Sequence, residues 1–246
     1  MATDPLYRSR VRSEYNNTSD VWDLSDRWHL WARRQIETEM SAIAIEFAAL
    51  PQTDGLVIDV GSAGNPYSLG NVQRIDVDIA ERRLLGCSLP LCANIEALPI
   101  RPQVADLTVC VGSVLNYTSL EESLFQLHRV TKAGGSLIFQ LELSNASEFI
   151  GSRAYGADAA FVSTFYRGEE RLWVYSDSYV RRVLATTGLT IRRVRYFHIL
   201  SSLLLRLTRR PALAARVAPL DRPWSTLKIA GRFADSGIYV CRRDSR

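Results

Sequence analysis

The 246-residue chain has no run of about 18 or more apolar residues, so no transmembrane helix is expected. Its opening, MATDPLYRSR, lacks the apolar centre of a secretory leader, and none is expected. Cysteine is scarce and scattered. Cys87, Cys92, Cys110 and Cys241 form no CxxC pair, which speaks against a disulfide framework or a metal cluster. Reduced thiols are the simplest reading, and with them a cytoplasmic location. Histidine occurs three times and lysine twice, at Lys132 and Lys228, so nearly every basic residue is arginine. Glycine is also thin where a nicotinamide-binding fingerprint would need it. Aligned on Gly61, the second and third glycines of GxGxxG fall on Ala63 and Pro66, and the fingerprint fails.

What is present is the composition of one globular domain. Hydrophobic residues make up 47% of the chain and charged residues 23%, which allows a sizeable core and argues against disorder. The net charge of +4 conceals an asymmetry: residues 1–150 carry 12 basic and 19 acidic side chains, and residues 151–246 carry 18 and 7. A basic half can mark an anionic partner, and it is also what a solvated arginine-rich surface looks like.

The pattern along the chain alternates between short apolar runs and helical periodicity, the signature of a wound α/β sheet. Residues 1–18 read as a loose polar arm, and 20–49 as a helix with Trp22, Trp28, Trp31, Ile36, Met40 and Ile43 at near-helical spacing. Strands are expected at 56–60, 72–78, 90–94, 106–112, 136–143, 189–199 and 237–243. Helices are expected at 119–132, stopped by Ala133-Gly134-Gly135, and at 177–187 before Gly188. Residues 200–218, apolar and basic and broken by Pro211, read as a helical flap. The expected organisation is an N-terminal arm and helical cap over 1–50. The main domain follows over 51–246, with cap insertions near 145–175 and 200–235.

The informative stretch is VIDVGSAGNP, residues 57–66. A buried strand ends in Asp59 and passes into a turn of small residues, Gly61, Ala63 and Gly64, at the end of the strand where open α/β sheets bind ligands. Asp59 is placed to accept a hydrogen bond from an ammonium group or to order a water there. The next strand ends Asp76-Val77-Asp78, and a carboxylate there suits a pair of ribose hydroxyls. Only about ten residues separate the turn from this strand, too few for a full crossover helix.

VIDVGSAGNP resembles the first motif of class I S-adenosylmethionine-dependent methyltransferases, and IDVDIAERRL resembles their second. ANIEALPI is similar to the adenine-reading segment, with Asn94 standing where an Asp is usual. The stretch from Ala105-Asp106 to Asn116-Tyr117 resembles the fourth motif, and LHRVTKAGGSLIF the helix and strand after it. The likeness covers about residues 55–143 and the last strand. It implies a Rossmann-like, seven-stranded, mostly parallel sheet with the last strand antiparallel, helices on both faces and a helical, aromatic cap. It implies S-adenosylmethionine as cofactor, met by Asp59, Gly61, Ala63 and Gly64. Asp78 is the ribose acid, with Asp76 the fallback, and Asn94 and Ile95 serve the adenine. Gly112 and Tyr15 complete the expected cofactor site.

For the acceptor side, His198 near the end of the sixth strand is the first choice of general base, and His29 in the N-terminal helix the second. His128 reads as structural. Tyr15, Trp28, Trp31, Tyr155, Phe165, Tyr166, Trp173 and Tyr175 are candidate walls of an acceptor pocket, each also an ordinary packing residue. The expected reaction is methyl transfer to an O or N atom of a small molecule. The sequence lacks an Asp/Asn-Pro-Pro-aromatic motif after the fourth strand, which argues against an amino-methylating nucleic-acid enzyme of the adenine type. Two rivals stay open. One is a lipid or RNA acceptor held by the basic, leucine-rich stretch from Arg192 to Arg216, and the other is a non-catalytic cofactor-binding partner protein.

Overall fold

The structure, a computed structural model, describes residues 5–17, 26–48, 55–64, 67, 69, 72–163 and 171–245. Two helices, α1 (Pro5–Asn17) and α2 (Arg27–Ala48), precede strands β1 (Leu56–Val60), β2 (Gln73–Asp78), β3 (Pro90–Cys92) and β4 (Ala105–Cys110). Then come α3 (Leu120–Val130), β5 (Thr131–Glu142), a hairpin of β6 (Ala159–Ser163) and β7 (Arg171–Tyr175), and α4 (Asp177–Thr187). The chain closes with β8 (Leu189–Phe197), α5 (Leu200–Thr208), α6 (Pro211–Val217) and β9 (Ser236–Arg243).

Seven strands form one sheet in the order β3-β2-β1-β4-β5-β9-β8. The pairs among β3, β2, β1, β4 and β5 are parallel, and β9 runs antiparallel between β5 and β8. This is the expected sheet. Because β9 opposes both neighbours, β8 points the same way as β1, and the C-terminal ends of β1, β2, β4, β5 and β8 share one rim. β6 and β7 pair separately, inside the segment read as an insertion.

Strand alternation divides the core in two. Ile58, Val60, Cys110, Leu137 and Phe139 pack with Leu120, Leu124 and Leu127 of α3 and Val180, Val183 and Leu184 of α4. Val57, Leu107, Val109, Ile138 and Val240 pack on the other face with Ile36, Met40 and Ile43 of α2. The described residues between β1 and β2 hold no helix, as the short spacing implied. α2, from before the first strand, covers the sheet face that a crossover helix would otherwise cover.

Two local readings need correction. Pro5–Asn17 is helical, not a loose arm, because Val11 and the partly buried Tyr7 and Tyr15, four residues apart, pack against Tyr117, Phe149 and Leu172. α3 stops at Val130, where Thr131 turns extended, so Gly134 (φ +72°) bends the start of β5 and does not cap the helix. The two ends of α4 follow the sequence: Ser176 caps its start by accepting the Tyr179 N–H at 3.1 Å, and left-handed Gly188 ends it. The first third of the helix expected over 20–49 lies largely outside the described residues, as do Phe165 and Tyr166.

Candidate active site

A cavity opens at the C-terminal ends of β1, β2 and β4, the rim where parallel sheets gather ligands. It spans about 930 Å³ with its solvent mouth included. Asp59, Gly61, Ala63, Asp78, Asn94, Ile95, Gly112 and Tyr15 all line it, brought from five separate segments. Gly64 sits in the same turn, one residue beyond the lining.

The turn after β1 is tight and leaves no room to substitute. Gly61 has φ +72°, and a Cβ there would lie 2.2 Å from Cγ2 of Val114. At Gly64 (φ +65°) a Cβ would meet the Arg83 carbonyl at 2.1 Å. Ala63 holds φ +50° in spite of its side chain. The amides of the turn point into the protein. Gly61 and Ser62 donate to the Val77 carbonyl at 2.7 and 3.2 Å, Ala63 donates to Asp78 Oδ2 at 2.9 Å, and Gly64 donates to Ser62 Oγ at 3.3 Å. A phosphate site needs outward amides and a helix start. Among the described residues this turn supplies neither, so they form no pyrophosphate cradle.

Two carboxylates set the charge of the cavity. Asp59 is 3% exposed, with Asp76 beside it in the strand register. Burial, reinforced by Asp76 and only partly countered by Arg74, pushes the Asp59 carboxyl up from 3.8 to about 7. A cation arriving at Asp59 would relieve that strain. Asp78 accepts from the N–H groups of Ala63 and Ala80, at 2.9 and 2.8 Å, one on each oxygen. Each oxygen retains a lone pair for an incoming hydroxyl. Burial raises its carboxyl too, against the pull of those backbone bonds.

Asp76, the fallback ribose acid, does not line the cavity. It is buried and ion-paired to Arg74 at 3.1 Å. Asn94 caps the short turn Ile95–Ala97, its Oδ1 accepting the Glu96 N–H at 3.1 Å. The bend at Gly112 and Ser113, both at positive φ, is held by the side chain of buried Gln140, whose Oε1 accepts both amides at 3.0 and 2.7 Å.

The mouth is walled by α1, through Arg8, Val11 and Tyr15. Arg8 reaches Glu96 at 2.8 Å, Arg83 Nε donates to the Tyr15 carbonyl at 2.8 Å, and the Tyr15 hydroxyl donates to that of Tyr117 at 3.2 Å. Arg8, Val11, Tyr67, Tyr117 and Thr118 are lining residues that the sequence reading did not select. The spacing of Tyr7, Val11 and Tyr15 at i, i+4 and i+8 was the available signal for α1.

Neither candidate base belongs to this cavity. His198 is fully buried at a left-handed position (φ +54°), its ring stacked on Trp28 at 3.7 Å and its Nδ1 2.9 Å from Ser201 Oγ. Burial drives its pKa from 6.5 down to about 3, so it is a neutral core ring. His29 sits at the start of α2, paired to Asp26 at 3.2 Å. Of the described aromatic candidates only Tyr15 reaches the lining. Trp28 and Trp31 are core, the Tyr175 hydroxyl donates to the Thr118 carbonyl, and the Tyr155 hydroxyl donates to that of Arg232. Buried Asn116 donates to the carbonyls of Glu142 and Trp173, tying the site's floor to β5 and β7.

Residues 67–139 match the family model described as a methyltransferase domain. No curated protein matches the sequence. Among solved structures, a geranyl diphosphate methyltransferase in complex with GPP and sinefungin is 12% identical, with 98% of this chain and 99% of that one covered and a TM-score of 0.62. The magnesium protoporphyrin IX methyltransferase of Synechocystis PCC 6803, with bound SAH, is 15% identical, with 97% and 100% covered and a TM-score of 0.56. The [4+2]-cyclase SpnF is 16% identical, with 85% and 81% covered and a TM-score of 0.54. At these identities the likeness is one of fold.

Proposed function

We propose that this class I S-adenosylmethionine-dependent methyltransferase transfers the methyl group of its cofactor to an O or N atom of a small-molecule acceptor. The observation that carries the reading is the cavity at the ends of β1, β2 and β4, with two carboxylates and a small-residue turn whose amides point away from it. Such a site favours a cationic nucleoside over a phosphorylated one. Asp59 would take the cofactor's amino group, and Asp78 the ribose hydroxyls through its two remaining lone pairs. Asn94 and Ile95 would border the adenine, with Ile95 supplying its apolar face. Bound there, the cofactor supplies an electrophilic methyl group on sulfur.

The chain's own contribution is alignment and exclusion of water. Transfer by inversion needs the nucleophile in line with carbon and sulfur, and good alignment alone can supply about 7–11 kcal/mol of a barrier. Val11 and Tyr15 of α1 shield the mouth, and the aromatic lining of Tyr15, Tyr67 and Tyr117 suits a positively charged group. Among the described residues no histidine lines the cavity, so this reading assigns no imidazole base.

The test has two arms. Calorimetry should show S-adenosylhomocysteine binding and far weaker NAD binding; no S-adenosylhomocysteine binding up to millimolar ligand would end the proposal. Because a cyclase shares the fold, binding is not sufficient. Mass spectrometry of candidate metabolites incubated with the protein and cofactor should find a gain of one methyl.

A further inference from the structure

We propose that the surface formed by α5, α6 and the turns Ala218–Trp224 and Lys228–Arg232 docks on an anionic lipid bilayer. It presents large apolar side chains to solvent. Leu207 is 72% exposed, Leu220 60%, Ile229 53% and Trp224 51%, and Leu200, Leu203, Leu213, Leu227 and Phe233 are exposed as well. Isolated exposed leucines are ordinary, but nine large apolar groups within residues 200–233 are not. Leu200, Leu203 and Leu207 follow i, i+3, i+7 along α5 and form one stripe. The opposite side of the segment is used: Leu205, Ala214 and Ala215 pack under Trp28.

The charge of this surface has one sign. Residues 200–233 contain Arg206, Arg209, Arg210, Arg216, Arg222, Lys228 and Arg232, and one acid, Asp221. Asp221 is buried and spent internally, its two oxygens accepting the N–H groups of Ile199 and Leu200 at 2.8 Å each. It anchors the later turn to the start of α5 and leaves no exposed acid within residues 200–233. Arg206 is held by the carbonyls of Glu148 and Ile150, and Arg222 lies over Trp31. Arg209, Arg210, Arg216, Lys228 and Arg232 make no ion pair among the described residues.

Leucine and tryptophan interleaved with arginine is the chemistry of an interfacial surface, the apolar groups entering the acyl boundary and the cations meeting lipid phosphates. A nucleic acid would use the cations but leave the leucines wet. A symmetric pairing with a second copy would bring like charges together. The position supports the reading, because α5 leaves the C-terminal end of β8, the same rim of the sheet that carries the cavity. A protein lying on this surface would hold its cavity near the lipid, which narrows the acceptor to molecules that partition there. That last step rests on the proposed function; docking itself does not.

The test is co-sedimentation with vesicles of phosphatidylcholine alone and of phosphatidylcholine with 30 mol% phosphatidylglycerol, a fraction of about one-third chosen for strong anionic charge. The protein should pellet with the anionic vesicles only, and less so in half-molar salt, roughly a threefold Debye-length reduction from dilute buffer. Arg209→Glu with Arg210→Glu should lower partitioning at least about thirtyfold. Leu207→Ser with Trp224→Ser should lower it as well, with S-adenosylhomocysteine affinity unchanged in both variants. Absence of pelleting with anionic vesicles overturns the proposal, as does unchanged pelleting of the arginine variant. Sedimentation velocity that shows a dimer abolished by Leu207→Ser, or tight binding of a labelled RNA duplex without vesicle binding, overturns it in favour of those partners. Loss of S-adenosylhomocysteine binding in the unmodified protein would count against the proposed function and leave the vesicle result standing on its own.

Discussion

Replacing Asp59 by Asn should make the ligand-free protein more stable and the liganded protein worse. The Asp59 carboxyl is raised from 3.8 to about 7, chiefly by burial and next by Asp76. At about 1.4 kcal/mol per pH unit, that shift costs the fold on the order of 4 kcal/mol once the pH exceeds the raised value. The direction follows from the two states. Below pH 3.8 both forms of the chain are protonated and there is no cost; between 3.8 and about 7 the unfolded chain ionises and the folded one does not, so stability falls as pH rises; above about 7 the cost is constant. Asn carries no charge but still buries an amide, so roughly 1–2 kcal/mol should return at pH 8, a rise in Tm of about 2–8 °C. The gain should shrink toward pH 4. Binding should move the other way. The cofactor's amino group gains a charge-assisted bond from the carboxylate, and its loss should weaken S-adenosylhomocysteine by about ten- to a hundredfold. Thermal denaturation across pH 4–9 with and without ligand, together with calorimetry, reads both. A variant no more stable than the wild type at pH 8 would refute the buried-carboxylate account, and unaltered affinity would remove Asp59 from the cofactor site.

Gly61→Ala should cost about 2 kcal/mol or more in stability and abolish measurable cofactor binding, since its Cβ would meet Val114 at 2.2 Å at φ +72°; a normal melting curve with normal binding would contradict the turn geometry. Ala63→Gly, which relaxes φ +50°, should be neutral or raise stability by up to about 1 kcal/mol, and a clear loss of stability would show that the turn differs. Asp78→Ala should weaken S-adenosylhomocysteine at least about tenfold, and more than Asp76→Ala does; the reverse order in calorimetry would transfer the ribose role to Asp76. His198→Ala should lower stability by roughly 2–4 kcal/mol through the cavity left beneath Trp28, while kcat of the folded fraction stays the same; a hundredfold loss of kcat at unchanged Tm would restore it as a base.

The convergence of Asp59, Asp78 and the small-residue turn on one cavity was legible because its signals are local. A buried strand must end somewhere, and an acid followed by small residues at that end fixes both the direction of the side chain and the closeness of the backbone. Asp59 and Asp78 therefore fell where the sequence put them. Asp76 and Asp78 are two residues apart and share one face of β2, so the choice between them rests on depth along the strand. Asp76 shares the buried face with Asp59 and pairs with Arg74, whereas Asp78 ends β2 at the rim. His198 was misread because its position along β8 was clear but its direction was not. A positive φ, which no neighbouring residue announces, turns the ring under Trp28. Helix α1 was missed because its mean composition is polar. Its stability comes from three side chains, Tyr7, Val11 and Tyr15, meeting distant partners, and their i, i+4, i+8 spacing is the one local trace of that support.

The link from β1 to β2 connects the fold to the proposed choice of ligand. In a sheet with a helix after the first strand, the turn ends at a helix start, with free amides and a positive dipole that draw phosphate. Here the described part of the link from β1 to β2 holds no helix, and the turn's N–H groups are consumed by Val77, Asp78 and Ser62. On the sheet face where such a helix would pack, α2 supplies Ile36, Met40 and Ile43. What remains at the rim, among the described residues, is a pair of carboxylates with the turn's amides already spent. A dinucleotide would face two acids there, while a sulfonium nucleoside with a free amino group would neutralise them. On the proposed function, charge at this turn selects the ligand, and a variant that adds positive charge there, such as Ser62→Lys, should lose S-adenosylmethionine binding before it loses its fold. If that variant instead binds the cofactor as the wild type does, charge at the turn is not what selects the ligand.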